Sequence, residues 1–464
     1  MDFEANNRKQ GFFDISNIAL ILFINIILFS GVFLRFYQLE KVYSEVDDTI
    51  LVAIHKAVFS DSIINKSIGP FELNITIKKE LLNNLLDSPL YALFWGVRSS
   101  YPPGQFIFFP LIINESDSYY KKIFKGRLIP ALFSSLSLFL FVLLLFNLNN
   151  NKLDHSFLIP TAVMAFSFNS VIYAHHMSPY SLTATTFLIA FILLNKALSN
   201  PDYTTRLFTY LAFLTIFNYL IVLTILPTSV ALILSHKWYN WKKITNSLYK
   251  GFLSYILIFL PVALICLKLS HGIRGEVPPL FEEGLINYLF YFPLQFIKTA
   301  SSVFASFTTN EIANMTLVSI LILGGVIVLF KKFSSLGSDK YVYLYVILFF
   351  IEWTILHLFK SLTMDQTRHV LMWLPGICLI IFLIIRHTKV NQFASMAISS
   401  FIIFAGIHTN LSIVNSKISR YDFEMIEKNK IDTVLTYGAT IAPVLYFQGT
   451  KKVYNTEMWR FVNG

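Results

Sequence analysis

Blocks of about 17 to 22 mostly apolar residues recur along this chain, and each is long enough to cross roughly 30 Å of hydrocarbon at about 1.5 Å per residue. No other feature narrows the fold so far. Lipid offers the backbone no water, so every block must satisfy its own peptide groups as a helix. Composition agrees, with 55% of residues hydrophobic, 14% charged and a mean hydropathy of +0.60. A soluble domain carries about 25% charged residues.

The expected fold class is therefore an all-α polytopic membrane protein with about 11 transmembrane helices. The spans are read at Asn17 to Phe36, Leu128 to Phe146, Ser156 to Ala174, Tyr180 to Leu198, Arg206 to Phe217, Ile221 to Ser235, Leu248 to Leu267, Thr316 to Phe330, Tyr341 to Leu358, Val370 to Ile385 and Phe393 to His408. Residues 206–235 also fit one long helix kinked at Pro227. Glu352 lies inside a span, where an acid is costly and usually functional; the other readings are a pair with His357 or a water-filled cavity.

The formal net charge of +10 invites a nucleic-acid reading, but the placement of the basic residues argues otherwise. Arg8 and Lys9, Lys152, Lys196 and Arg206, Lys237, Lys242 and Lys243, Lys331, Lys332 and Lys340, and Arg386 and Lys389 all fall in loops on one side. That side is predicted to be cytoplasmic, and no nucleic-acid partner is expected. The N-terminus then lies inside and the C-terminus outside, and the first span reads as retained rather than cleaved. The plasma membrane of a prokaryote is the expected location.

Three segments fall on the non-cytoplasmic side: a long first loop, 35–126, a second large loop, 271–315, and a small C-terminal segment, 412–464, following a transmembrane domain over 1–411. In the first loop the apolar runs Ile50 to Phe59 and Phe106 to Ile113 are too short to cross and read as interfacial helices. In the tail, Asp432 to Tyr437 reads as a strand, Gly438 as a turn, and Ile441 to Phe447 as a helix or a second strand. Cys266 and Cys378 have no paired or metal-ligand spacing and read as packing residues. Asn-x-Ser/Thr triplets at Asn65, Asn74, Asn114, Asn314 and Asn410 are of the kind an Asn-rich chain produces by chance.

Chemistry-bearing residues gather on the same side. Glu45, Asp47 and Asp48 stand just outside the first span, where carboxylates act as general bases, hold a divalent cation, or offset the positive end of a helix dipole. Tyr101, Pro102 and Pro103 open a short apolar run with an extended approach, and Gly104 lets the chain turn. Arg127 sits at the mouth of the next span, suited to gripping a phosphate or to anchoring at the headgroups. His175 and His176 point about 100° apart on a helix and so make poor joint metal ligands; with Tyr180 they contact substrate or pack at the interface. Arg368 and His369 meet a phosphate at that surface, or pair with Asp365 or with lipid headgroups. A metal is left open, and no cofactor beyond a divalent cation is implied.

The order of these features resembles the GT-C superfamily of lipid-linked glycosyltransferases, most closely the branch of protein O-mannosyltransferases and bacterial aminoarabinose-type transferases. An acidic pair follows the first span (Asp47-Asp48, commonly Asp-Glu in the family), then come an aromatic-Pro-Pro motif (Tyr101-Pro102-Pro103), Arg127-Leu128, Ser178-Pro179-Tyr180, and Arg368-His369 with Pro375 downstream. The resemblance runs from about Phe33 to Tyr446. Tyr101 replaces the usual His, Gly104 a common Leu, and Asp48 a Glu. These departures fall on the loop that shapes the acceptor site in the family, so the acceptor stays open between lipid, glycan and protein hydroxyls.

The resemblance implies a polyprenyl-phosphate-linked sugar donor and a reaction at the non-cytoplasmic surface that inverts the anomeric centre. It implies Asp47 as the general base, with Asp48 or Glu45 orienting it or binding a cation. Arg127, Arg368 and His369 would then meet the donor phosphate, with Lys298 as a further cation, and Tyr101, Pro102, Pro103, His175, His176 and Tyr180 would line the sugar or acceptor side. Two other classes fit a polytopic chain. A transporter or lipid exporter would show interrupted spans with charges near the midplane, and a scaffold would need no clustered outer acids.

Overall fold

The computed structural model describes residues 15–39, 108–114, 117, 119–177, 180–200, 202–217, 224–235, 245–246, 248–257, 285–337, 339–358, 370–388, 390–416, 429–430, 433–436 and 452–455. Apart from two short strands, its regular elements are helices. In chain order the longer ones are α1 (Ile15–Phe36), α2 (Tyr119–Leu148), α3 (Leu158–Phe166), α4 (Phe168–Ile172), α5 (Tyr180–Ser199), α6 (Tyr203–Phe217), α7 (Ile225–Ser235), α8 (Leu285–Ser301), α9 (Glu311–Lys332), α10 (Asp339–Leu358), α11 (Val370–Thr388) and α12 (Gln392–Ser416). Residues 248–257 are also helical.

Six of these helices are long and apolar enough to cross a membrane: those over Ile18–Phe36, Tyr120–Leu148, Tyr180–Ser199, Glu311–Lys332, Val370–Thr388 and Gln392–Asn415. Their outward faces stay apolar, with Phe29 69%, Phe330 79%, Phe393 81% and Phe404 75% exposed. Contiguous exposed aromatic and aliphatic faces of this kind need a hydrocarbon solvent. The architecture is that of a polytopic helical membrane protein.

Helices α3, α5 and α11 form the interior, and α1, α9 and α12 the rim. Close crossings occur where glycine removes a side chain, the usual device for helix packing in lipid. A Cβ on Gly31 would lie 3.0 Å from Ala165 Cβ, one on Gly406 2.5 Å from Phe166 Cβ, and one on Gly325 2.5 Å from Ile380 Cγ2. These contacts draw α1 and α12 onto α3, and α9 onto α11.

At one end of the bundle the basic loops are pinned by backbone contacts. Arg386 donates to the Leu148 carbonyl at 3.1 Å, and His155 Nε2 lies 2.8 Å from the Val390 carbonyl. Asp154 caps the turn into α3 by accepting from the Ser156 amide at 2.8 Å. Helix α9 is oriented for its dipole, with Asn310 capping the Ala313 amide at 3.1 Å, Glu311 in the first turn and Lys331 and Lys332 in the last.

Several expected elements change. The span expected over 156–174 breaks at Ser167, whose ψ of 138° leaves the helical region and separates α3 from α4. The second large loop expected over 271–315 contains α8, with Pro293 inside it, and the start of α9. The short apolar run over 106–113 holds a single helical turn, Phe109–Ile112, within the described residues, while Ile50 to Phe59 lies outside them. Helix α12 continues to Ser416, through the expected end of the last span at His408 and through the expected domain boundary after 411. The strand expected at 432–437 is present as β1 (Thr433–Thr436), and it pairs in parallel with β2 (Lys452–Asn455), Thr433 opposite Lys452. The expected element at Ile441 to Phe447 lies outside the described residues. Asn314 and Asn410 are buried, so neither of those triplets is open to modification.

Candidate functional site

The break in α3–α4 leaves helix-end carbonyls inside the bundle, where each needs a donor. Arg35, in the last turn of α1, supplies most of them. It is fully buried, and its guanidinium donates to the carbonyls of Gly31 at 2.7 Å, Ala165 at 2.9 Å and Met164 at 3.4 Å, and to the hydroxyls of Ser134 at 2.8 Å and Ser170 at 2.9 Å. Asn410 on α12 donates to Phe166 at 3.0 Å. A cation at a helix C-terminus is also the sign that the helix dipole favours.

Beyond Arg35 the chain makes a turn at Tyr37–Leu39, with Gln38 in the left-handed region at φ 53°. Two of the expected site residues converge on that turn. Arg127, fully buried on α2, donates from Nη1 to the Leu39 carbonyl at 2.8 Å. His175, fully buried between α4 and α5, places Nε2 3.0 Å from the Tyr37 carbonyl and Nδ1 2.9 Å from the Val171 carbonyl. Burial pushes the His175 imidazole down to about 4; the two carbonyls oppose that shift, and the charge of Arg127 and the His176 ring add to it.

His176 and Tyr180 lie beside this pair. The Tyr173 ring meets the rings of His176 at 5.4 Å and Tyr180 at 6.0 Å, both edge-on, and Tyr180 packs with Ala184 and Leu371. Leu371 belongs to the first turn of α11. Two residues on, Trp373 faces another set of neighbours, stacking on Phe296 of α8 at 5.1 Å and meeting Trp353 of α10 edge-on at 5.7 Å.

That second side opens on an apolar cavity of about 390 Å³ between α8, α9, α10 and α11. Phe296, Ala300, Val318, Phe350 and Thr354 line one end, Tyr343, Leu329 and Leu383 the other, and Gly325 and Ile380 the wall between. Lys298 sits on α8 among the lining residues Ile297 and Ala300, but its ammonium is exposed and pairs with exposed Glu311 at 3.1 Å.

Asp47, Asp48, Glu45, Tyr101, Pro102, Pro103, Arg368 and His369 lie outside the described residues. Among the described residues, no three His, Cys, Asp or Glu side chains are grouped so as to hold a metal ion. Sequence reasoning passed over Arg35 by assigning it to the loop, and over Asn410 by reading it as a triplet. The available signal was one strongly polar residue near the end of each of two otherwise apolar helices, Arg35 in α1 and Asn410 in α12.

Comparison with protein-family models, with curated proteins and with solved structures finds no match.

Proposed function

We propose that this chain is a membrane glycosyltransferase that moves a sugar from a polyprenyl-phosphate donor to a hydroxyl acceptor on the non-cytoplasmic face. One observation carries the reading. The first turn of α11, which directly follows Arg368 and His369 in sequence, lies between the Tyr173–His176–Tyr180 cluster and the apolar cavity. A lipid-linked phosphate sugar needs those two surroundings at neighbouring positions, hydrocarbon for its tail and polar aromatic groups for its head.

In this mechanism the acceptor oxygen attacks the anomeric carbon as the bond from that carbon to the phosphate oxygen breaks. Asp47 takes the hydroxyl proton, and polyprenyl phosphate leaves. Asp48 or Glu45 orients the base or holds a divalent cation. Arg368, His369 and Lys298 stabilise the charge that grows on the leaving phosphate. Tyr101, Pro102, Pro103, His176 and Tyr180 line the sugar or acceptor side. An eleven-span arrangement with the basic loops inside would put this chemistry at the outer surface.

A transporter is the second reading, favoured by the broken helix α3–α4, since interrupted helices often frame ion or substrate sites. Arg35 and Asn410 already occupy the freed carbonyls, which leaves that break little room for a transported cation.

The test is transfer of radiolabelled sugar from synthetic polyprenyl-phosphate donors in proteoliposomes, with Asp47→Asn beside the wild type. The expected result is transfer by the wild type and a loss of about 10²- to 10⁴-fold in the variant. Equal transfer by both would remove Asp47 as the base. No transfer by either, across a broad donor and acceptor panel, would bring the transporter forward.

A further inference from the structure

Three helices line the apolar cavity with stripes at helical spacing, and each stripe meets a basic residue at the same end of the bundle. On α9, Gly325 and Leu329 lead to Lys332; on α11, Ile380 and Leu383 lead to His387; on α10, Ile347 and Tyr343 lead back to Lys340. Steps of three and four residues keep side chains on one helix face, so these three basic residues extend the faces that line the cavity. Side-chain contacts draw them together further. Lys340 Nζ lies 4.9 Å from the centre of the Phe333 ring, the residue next to Lys332, and the charges of Arg386 and Lys332 act on the His387 ring. His387 Nε2 is buried with no hydrogen-bond partner among the described residues. Among the same residues the ion pairs are those of Asp117 and Glu311, so Lys332 and Lys340 meet no balancing carboxylate.

We propose that this end of the cavity is a site for one anionic membrane phospholipid, its phosphate held by Lys332, Lys340 and His387 and one acyl chain laid between α9, α10 and α11. Charge selects the headgroup, since a basic pocket between membrane helices favours anionic lipid, by about fivefold in binding for each Lys near the surface. A phosphate oxygen would also give His387 Nε2 the partner it lacks among the described residues. Depth fits the chain. The lining residue Ile322 precedes Lys332 by ten residues, about 15 Å along α9, which is half of a roughly 30 Å hydrocarbon layer and so the depth of one leaflet. The chain enters from the side, where the lining residues Val326 and Ile351 are 37% and 48% exposed. Helix α9 packs on α8 and α11, and α10 chiefly on α7, which leaves the seam between α9 and α10 to lipid. The proposed donor tail would enter at the opposite end, beside Phe296, and this site does not depend on glycosyl transfer.

Native mass spectrometry of the delipidated full-length protein, titrated in detergent with dioleoylphosphatidylglycerol, dioleoylphosphatidylcholine or polyprenyl phosphate, tests this. Phosphatidylglycerol should bind at least about tenfold tighter than phosphatidylcholine; equal affinities would overturn the site. Lys332→Gln and Lys340→Gln should each weaken phosphatidylglycerol about fivefold. Lys331 is exposed and stands one position off the stripe, so it carries the same charge without sharing the cavity face. Lys331→Gln should therefore cost less than about twofold, and a loss equal to that of Lys332→Gln would reduce the effect to the general charge of this end. Val326→Trp and Ile351→Trp fill the cavity from its exposed edge without changing charge. A variant of this pair that melts as the wild type does should lose about tenfold in phosphatidylglycerol affinity, and wild-type affinity there would put the chain elsewhere. Dihexanoylphosphatidylglycerol, too short to fill the cavity, decides the same point if neither variant folds: affinity equal to the dioleoyl lipid would remove the chain from the site. Polyprenyl phosphate bound more tightly than phosphatidylglycerol, with the same loss in Lys332→Gln, would make this the donor's site and overturn the phospholipid.

Discussion

Arg35 Nη1 and the carbonyl oxygen of Ala165 lie 2.9 Å apart, a guanidinium on α1 closing the end of a helix that stops inside the bundle. The same side chain reaches Met164, Gly31, Ser134 and Ser170, so it joins α1, α2, α3 and α4 through one buried group. Arg35→Met would take this donor from the Ala165 carbonyl, while Met164 keeps the Ser170 hydroxyl at 3.0 Å and Ser134 keeps the Ser170 carbonyl at 3.0 Å; a buried carbonyl left unpaired costs about 1 to 3 kcal/mol. A loss of about 1 to 3 kcal/mol in unfolding from mixed micelles is expected. Arg35→Lys should recover part of it only, since an ammonium has three donors and no fork. Equal stability of wild type and Arg35→Met would show that the break is satisfied some other way.

The crossing of α12 on α3 makes a sharper test, because the obstructing atom is not at the end of a flexible side chain. A Cβ at Gly406 would stand 2.5 Å from Phe166 Cβ, which is fixed to the α3 backbone, and 3.3 Å from Phe307 Cε1. Gly406→Ala must therefore part the helices, which also draws Asn410 away from the Phe166 carbonyl. A destabilisation of about 1 to 3 kcal/mol is expected. The comparator is Gly324→Ala, where the nearest atom is 3.5 Å away and the gain in helix propensity, up to about 1 kcal/mol, should leave the protein as stable or more so. Thermal melts of the two variants side by side would show whether the close approach matters.

The helical membrane architecture was legible because twenty-residue apolar blocks admit one backbone solution in lipid. The start of α5 at Tyr180, the start of α11 at Val370 and the strand at Thr433–Thr436 could be read off directly. The break at Ser167 could not, since Phe166 and Phe168 keep the block apolar on both sides and the freed Ala165 and Phe166 carbonyls are met by Arg35 and Asn410, 130 and 244 positions away in sequence. Arg127 and His175 were legible as a cluster on one face, but their targets were not. Both end on backbone carbonyls, which leave no trace in residue identity.

His175 makes the stability of this end of the bundle depend on pH. Its imidazole is held at about 4 instead of 6.5, chiefly by burial, with Arg127 and His176 as the charged and titratable groups that face it. The unfolded chain therefore takes up a proton at a pH where the folded chain resists it. This contribution is whole above about pH 6.5, declines as the pH falls towards 4, and amounts to about 3 kcal/mol once it is fully lost. His175→Gln should melt at a lower temperature than the wild type near neutral pH and show a flatter decline between about pH 6.5 and 4. Parallel pH slopes for the two proteins would place the titration elsewhere.

Glu352 separates the two functional readings. Its Oε2 is buried on α10 without a hydrogen-bond partner among the described residues, next to the cavity-lining residues Ile351 and Thr354. An unpaired buried carboxylate oxygen costs about 1 to 3 kcal/mol or more, so Glu352→Leu should stabilise the fold by an amount of that order. Proteins keep such a costly group in a span when it moves protons or ions, and a transporter would lose its activity with it. Glycosyl transfer run from the first loop makes no use of this carboxylate. Glu352→Leu should then unfold later than the wild type and transfer sugar at the same rate. A stabilised variant that no longer transfers would move the chemistry from the loop surface into the cavity, and a destabilised one would mean that Oε2 has a partner in the folded membrane protein.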